Sequence, residues 1–104
     1  MSAGYQAVQS SHAIADFAIQ FPAIFKKWHE ESNYIIQLSV DSKFDLEQLI
    51  DKLEKNNIKF VPFYEPDLDN QLTAICIEPC EQARRITSSI PLMLKELNQK
   101  VLAY

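Results

Sequence analysis

The feature that most constrains this chain is a helical pattern near its amino end that a proline brings to a stop. In residues 4–21 apolar side chains recur every three or four positions, which is the periodicity of a helix with most of its surface buried. Pro22 follows directly, and a proline disfavours helical geometry in the residue before it. We therefore predict a first helix that ends at about Phe21.

Size and charge limit the kinds of protein that this chain can be. With 104 residues it can form one core, so we expect a single domain over residues 1–104. The 47% of hydrophobic residues is ordinary for a globular protein and argues against disorder. A net charge of −4 argues against binding of nucleic acid by bulk electrostatics, because Lys and Arg supply the phosphate contacts. We expect no DNA partner, and RNA contacts only through local basic patches.

Cysteine usage and hydropathy indicate where the protein works. Cys76 and Cys80 are too few for a disulfide framework and do not form a C-x-x-C pair, so we expect a reducing cytoplasm, no metal site and no cofactor. No apolar stretch approaches the roughly 18 residues of a membrane span, and no basic, then hydrophobic signal opens the chain. The sequence predicts a cytoplasmic protein without a membrane partner.

The rest of the chain alternates between helical and strand-like patterns. In order we predict helix Ala23–Glu31, strand Tyr34–Val40, helix Ser42–Asn56, strand Ile58–Tyr64, strand Leu72–Glu78, helical segment Glu81–Arg85 and closing helix Pro91–Leu102. A strand, a helix and a strand with short links predict a parallel pair, whereas the short loop 65–71 predicts an antiparallel return. Pro62 predicts an edge position or a bulge. These elements predict an α/β fold with a small mixed sheet and helices packed on its faces.

The clearest boundaries belong to the helix predicted after residue 41. Ser42 and Asp45 form a variant of the capping box, and Asn56 and Asn57 are good terminators. Its apolar residues form one stripe with charged residues opposite, so the helix packs on one side only.

The first helix also carries a family resemblance. Residues 4–13, GYQAVQSSHA, resemble the first-helix signature of the type II (archaeal and eukaryotic) peptidyl-tRNA hydrolases, roughly Gly-Lys-x-Ala-Ala-Gln-x-Ser-His-Ala. The register needs no gap, and the matching residues are Gly4, Ala7, Gln9, Ser11, His12 and Ala13. Tyr5 stands where the family has a functional lysine. The resemblance implies a three-layer α/β/α domain of the peptidyl-tRNA hydrolase II type.

A second stretch supports the same resemblance. Residues 73–79, TAICIEP, look like the family's strand Thr-Val-x-x-Ile-Gly-Pro and put Thr73 in the position of its threonine. The loop before it is shorter than the family's Asp-Ala-Gly-Arg-Thr-Gln loop and is similar to a divergent branch with Glu-Pro-Asp-Leu followed by Leu-Thr-Ala-Ile. We therefore expect a divergent member.

The family begins with a hydrophobic strand, and Met1 lies too close to the first helix to leave room for one. Three explanations stay open: a truncation at the amino end through a gene start placed at an internal methionine, a fold that tolerates the loss, or a second chain that supplies the edge. Since loss of an interior strand exposes unpaired backbone groups, we expect a homodimer.

The resemblance implies hydrolysis of the ester between a peptide and the 3′ end of tRNA. That reaction needs an activated water, a donor for the developing oxyanion and basic side chains for the phosphates. The predicted catalytic residues are Gln9, Asp67 and Thr73, with Glu65 as the other candidate base, and the predicted substrate contacts are Tyr5, His12, Glu65 and Asn70. Tyr5 can donate a hydrogen bond but brings no positive charge, so it replaces the donor of a lysine but not its charge.

The same residues also have purely structural explanations. The acids of the 65–71 loop can cap turns, Gln9 can cap backbone, and His12 can be a hydrogen-bonded core residue. Arg84 and Arg85 are the best basic pair for tRNA, but adjacent residues on a helix point about 100° apart.

Two functions remain open at this point. One is a divergent hydrolase acting on a peptidyl or aminoacyl ester of tRNA, and the other is a non-catalytic binding or homo-oligomeric assembly module on the same scaffold. The hydrolase hypothesis requires that the first helix bring Gln9 close to Thr73.

Overall fold

The computed structural model describes residues 2–93, which form helices packed around a two-stranded sheet. The helices are α1 (Ala3–Gln20), α2 (Pro22–Glu31), α3 (Lys43–Lys55) and α4 (Glu81–Ile86), and the strands are β1 (Phe60–Glu65) and β2 (Gln71–Ile77), joined by a 3-10 turn at Pro66–Leu68. The predicted α/β fold is confirmed.

The ends of α1 are fixed by local contacts. Ser2 caps its start, since the Ser2 hydroxyl accepts a hydrogen bond from the backbone N–H of Tyr5 at 3.1 Å. At the other end the Phe21 N–H donates to the carbonyl of Phe17 at 2.8 Å, and Pro22 begins α2. The predicted end at Phe21 is confirmed.

The predicted caps of α3 are also present. The Ser42 hydroxyl accepts from the Asp45 N–H at 3.2 Å, and the Asn56 side-chain amide donates to the carbonyl of Lys52 at 2.7 Å. Asn57 follows with a φ of 54°, a left-handed conformation that asparagine adopts more readily than most residues. Capping on both sides therefore sets the length of α3.

The two strands are antiparallel, as the short connection between them predicts. Phe63 pairs with Ala74, but the next residue of β1, Tyr64, pairs with Leu72. Thr73 is thus an extra residue of β2 with no partner across the ladder, which makes it the bulged residue. A bulge changes the direction in which the side chain points, and here the bulged residue is Thr73, a predicted catalytic residue.

Helix α1 covers one face of the sheet. It packs against both strands and buries Ala13 and Phe17 completely or nearly so. The ring of His12 stacks on that of Phe63, with 4.8 Å between the centroids. Phe63 therefore marks the face of β1 that α1 covers.

Helices α3 and α4 cover the other face. The buried cluster on this side consists of Leu49, Leu53, Ile58 and Ala83, and Phe60, Ile75 and Ile77 pack against it. Phe60 lies three positions from Phe63, and because alternate side chains of a strand face opposite sides, the two rings are on opposite faces of β1. The sheet is therefore covered from both sides.

The strand predicted at residues 34–40 is wrong. In the part of the chain that the structure describes, this segment forms one bridge, from Leu38 antiparallel to Leu92. Tyr34, Ile35 and Ile36 are 69%, 55% and 58% exposed. Within residues 2–93 the expected parallel pair is absent, so the sheet described is antiparallel instead of mixed. The β-branched pattern favours a strand, but a strand also needs a neighbouring backbone, which sequence composition cannot supply.

The start of the closing helix also differs from the prediction. The Ser39 N–H donates to the carbonyl of Pro91 at 2.9 Å, and the Met93 N–H donates to the carbonyl of Gln37 at 2.8 Å. Residues 91–93 are therefore held beside residues 37–39 and do not begin a helix at Pro91. The remainder of the predicted helix, residues 94–102, lies outside the described residues.

Candidate active site

Gln9 of α1 and Thr73 of β2 are in direct contact. The Thr73 hydroxyl donates to the side-chain oxygen of Gln9, with 2.8 Å between Oγ1 and Oε1. Gln9 is 1% exposed and lies on the sheet-facing side of α1, and the bulge presents Thr73 to it. The predicted proximity of these two residues is confirmed.

Glu65, at the end of β1, extends this contact into a network. Glu65 is 8% exposed, and its carboxylate accepts three hydrogen bonds. The Gln9 Nε2 group donates to Oε1 at 2.8 Å, the Tyr5 hydroxyl donates to the same oxygen at 3.3 Å, and the Asp67 backbone N–H donates to Oε2 at 3.3 Å. One carboxylate thus joins α1, β1 and the turn after β1.

The network fixes the charge of its two titratable members. The hydrogen bond from Gln9 and the one from the Asp67 N–H hold the pKa of Glu65 below its usual range, and outweigh the opposing effect of burial. Desolvation, followed by the negative charge of Glu65, raises the pKa of the Tyr5 phenol above 10.0. At neutral pH Glu65 is therefore a carboxylate and Tyr5 keeps its proton.

These charges determine where each proton points. An ionised carboxylate only accepts hydrogen bonds, so the group of Gln9 that faces Glu65 must be the amide nitrogen. The amide oxygen then faces Thr73, and the Thr73 hydroxyl must donate to it. Tyr5 and Thr73 both direct their protons into the network, and only their lone pairs remain for a ligand.

The other predicted site residues occupy different positions. Asp67 is exposed and contributes its backbone N–H to Glu65, while its negative charge adds to the raised pKa of Tyr5. Asn70 donates its backbone N–H to the carbonyl of Glu65 at 2.9 Å, and it lines a shallow depression with Lys43 and Glu47 beside α3. The structure therefore brings Asp67 to the network and directs Asn70 to the α3 side.

His12 lies between the core and solvent. It is exposed and stacked on Phe63, and its charge contributes to the lowered pKa of Glu65. This position differs from the buried core histidine that was the structural alternative for His12, because the aromatic contact covers one side of the ring only.

A large, mainly apolar groove of about 1740 Å³ adjoins the network. Tyr5 and Thr73 both line it, as do the apolar residues Ile14, Phe17 and Trp28 of α1 and α2. Consecutive residues from Thr73 to Ile77 also line it, so the groove follows the edge of β2 and not one face of it. Within residues 2–93 this edge has no hydrogen-bonded strand beside it.

The basic residues of α4 border the same groove. Arg84 and Arg85 both line it, and Arg85 makes an exposed ion pair with Glu81 at 3.5 Å. In residues 2–93 no three His, Cys, Asp or Glu side chains come together as metal ligands would, and none of the helices described there is long and apolar enough to cross a bilayer.

The comparison with protein families agrees with the residues assembled here. The family model of peptidyl-tRNA hydrolase PTH2 matches residues 1–93, which include Gln9, Glu65 and Thr73. The chain belongs to the peptidyl-tRNA hydrolase PTH2 family. The resemblance seen in α1 and β2 is thereby confirmed, and the network lies within the matched part of this PTH2 chain. No curated protein matches the chain.

Glu65 is more central to this PTH2 site than its sequence position indicates. Asp67 was the predicted base, with Glu65 as a substrate contact and the other candidate base, whereas the structure gives Glu65 the central position among the hydrogen bonds. Phe63 and Glu65 are two positions apart on β1 and so share one face of the strand, but the packing of α1 on that face is visible in the structure only.

Proposed function

We propose that the protein hydrolyses the ester that joins a peptidyl or aminoacyl group to the 3′ end of tRNA, in the cytoplasm. Water adds to the ester carbonyl carbon, the bond from that carbon to the 3′ oxygen breaks, and the oxygen leaves with a proton as the free hydroxyl. The observation that carries the proposal is the Thr73–Gln9–Glu65 network in a chain of the PTH2 family.

Thr73 positions the water in this proposal. Its proton is committed to Gln9, so its oxygen can accept a hydrogen bond from a water molecule in the groove. Gln9 is buried, and it therefore acts as a positioning residue that orients Thr73.

Glu65 and Asp67 have different roles in this proposal. Glu65 is a weak base at neutral pH because its pKa is lowered, so its contribution is to hold the Gln9 amide in one orientation. Asp67 is exposed and its charge acts on Tyr5, so in this proposal Asp67 is the carboxylate that takes a proton from the water. The tRNA phosphates would be bound by Arg84 and Arg85, with Lys26 and Lys27 on the exposed side of α2.

Hydrolysis of a peptidyl-tRNA analogue tests this function. Wild-type protein is expected to release the acyl group, and Asp67→Asn is expected to reduce the rate by about 10²- to 10⁴-fold, which is the usual contribution of a general base. Asp51→Asn, an exposed acid on α3, is the matched control and should keep the wild-type rate. Absence of hydrolysis by the wild-type protein would remove the proposal.

The groove favours a second candidate function, assembly with another copy of this chain. Among residues 2–93 no strand pairs with the outer edge of β2, which leaves its backbone groups open to a second chain. The exposed apolar segment Tyr34–Ile36 borders the same groove. Because each copy carries both surfaces, the contact would be self-complementary and would give a homodimer with two-fold symmetry.

Light scattering combined with a gel shift against tRNA separates the two functions. If the protein is an assembly module, it should be a dimer that does not bind tRNA. Ile36→Lys should then convert the dimer to a monomer, whereas Ile19→Lys at an exposed position of α1 should leave it dimeric. Salt-sensitive binding of tRNA would favour the hydrolase. A wild-type monomer at high concentration would exclude the assembly module.

A further inference from the structure

The groove beside the candidate site has an aromatic wall, formed by Phe25 and Trp28 of α2 and by Tyr34 in the segment after α2. The rings of Phe25 and Trp28 are tilted against each other, with 5.2 Å between their centroids, and Tyr34 is 69% exposed. Exposed aromatic rings can stack on the bases of single-stranded nucleic acid, because every base has a π-face. The groove therefore offers a surface for stacking in addition to the hydroxyl groups of the candidate site.

A hydrogen bond orients the indole of Trp28 in this wall. Its ring N–H donates to the backbone carbonyl of Tyr34 at 2.7 Å, which also holds the backbone of Tyr34 beside the indole. An indole has one donor and no acceptor, so this bond uses all of its hydrogen-bonding capacity. Trp28 cannot read the edge of a base and presents only its ring face to a ligand. Binding at the aromatic wall should therefore depend on stacking and tolerate different bases.

The same groove reaches the residues that act on the ester in the proposed function. Tyr5 and Thr73 line it together with Trp28 and Tyr34. The ester of that function is attached to the 3′-terminal nucleotide of tRNA, and the last nucleotides of a tRNA, with the sequence CCA, are unpaired. Resting on the proposed function, we propose that Trp28 and Tyr34 bind this unpaired 3′ end by stacking on its bases.

The charges along the groove indicate that stacking contributes most of this binding. A balanced set of acidic and basic side chains lines the groove: Asp41, Glu78 and Glu81, and Lys43, Arg84 and Arg85. Such a lining gives little net attraction for phosphates, so binding of a short RNA should depend weakly on salt. Lys26 and Lys27 directly precede Trp28 and are exposed, so they can contact phosphates of the remaining tRNA.

Fluorescence of Trp28 tests this inference directly, because it is the single tryptophan of the chain. The probe is an unacylated RNA trinucleotide of sequence CCA, titrated into the wild-type protein. Stacking of a base on the indole is expected to quench the emission, at low and at high salt alike. A trinucleotide with the same phosphates but no bases should not quench it. Equal quenching by this abasic RNA would mean that phosphates are bound without stacking, and would overturn the inference.

Variants of Tyr34 locate the binding within the protein. Tyr34→Ala should weaken binding of the trinucleotide about fivefold to a hundredfold, the usual effect of removing one stacked aromatic ring, whereas Tyr34→Phe keeps the ring and should bind like the wild type. Tyr64→Ala is the matched control, since Tyr64 is an exposed tyrosine on β1 outside this groove. With a peptidyl-tRNA analogue as substrate, Tyr34→Ala should raise KM and leave kcat unchanged, because Tyr34 holds the RNA and not the reacting atoms.

The outcomes separate this inference from the proposed function. Hydrolysis without quenching by the trinucleotide, or with a KM that Tyr34→Ala does not change, leaves the function in place and overturns the stacking. Quenching without hydrolysis supports the stacking and removes the hydrolase. If the emission of Trp28 changes with protein concentration and not with RNA, a second copy of the chain covers the aromatic wall, and the inference is overturned.

Discussion

Thr73 Oγ1 lies 2.8 Å from Gln9 Oε1, although 64 positions separate the two residues in the chain. The bulge at Thr73 and the burial of Gln9 produce this contact together. The contact determines which atoms of the site can meet a ligand, and its loss should affect stability and reactivity separately.

Gln9→Leu should destabilise the fold. The substitution keeps a side chain of similar size but leaves a buried carboxylate and a hydroxyl without their amide partner. We expect a loss of about 1–3 kcal/mol in the free energy of unfolding, measured by urea denaturation. Gln20→Leu, at the exposed end of α1, is the control and should change it by less than about 0.5 kcal/mol. Equal stability of the two variants would contradict the network.

Thr73→Val should lower kcat, and because it leaves the buried amide oxygen of Gln9 without its donor, it should also lower the free energy of unfolding by about 1–3 kcal/mol. Valine has nearly the same shape but no oxygen to hold a water molecule, and misplacing a reacting group costs about 10²-fold in rate. Thr73→Ser keeps the hydroxyl and should restore most of the activity. Thr87→Val on α4, which loses a hydroxyl bonded to the Ala83 carbonyl at 2.9 Å, is the matched control. A fully active Thr73→Val would exclude Thr73 as the water-positioning residue.

Cys76 should react slowly with an alkylating reagent while the protein is folded. Burial raises the pKa of the Cys76 thiol from 9.0 to about 11, so at pH 8 about a hundredfold less of it is thiolate. Mass spectrometry of the folded protein should therefore show Cys76 alkylated about a hundredfold more slowly than after unfolding in urea. Equal rates in the folded and unfolded protein would mean that Cys76 is not enclosed by the β2 side of the groove.

The sequence was most informative where local chemistry decides the structure. Ser42 and Asn56 mark the ends of α3 because capping depends on neighbouring residues only. The proximity of Gln9 and Thr73 could also be predicted, but through the family resemblance, since no local rule joins residues so far apart in the chain.

The prediction failed where a partner strand decides the structure. Tyr34, Ile35 and Ile36 have strand-forming side chains, yet strand pairing requires a backbone at the correct distance, and they are exposed instead. The bulge at Thr73 was equally hidden, because the register between two strands is a property of the pair. The central role of Glu65 depends on strand pairing and on its register, since β1 must present Glu65 to Gln9.

Glu65 should make stability depend on acid pH. Its pKa is lowered in the folded protein, so ionised Glu65 contributes stability that is present above its unfolded pKa of about 4.3 and is lost as the pH falls through the folded value. Glu65→Gln removes the titrating group, so the free energy of unfolding should fall less steeply below pH 4.3 in this variant than in the wild type. Urea denaturation between about pH 2 and 6 measures the slope. Glu47→Gln, an exposed glutamate on α3, provides the control. If Glu65→Gln lost stability with acid as steeply as the wild type, the carboxylate would not be held ionised by Gln9 and the Asp67 N–H, and the proton directions derived from it would have to be reversed.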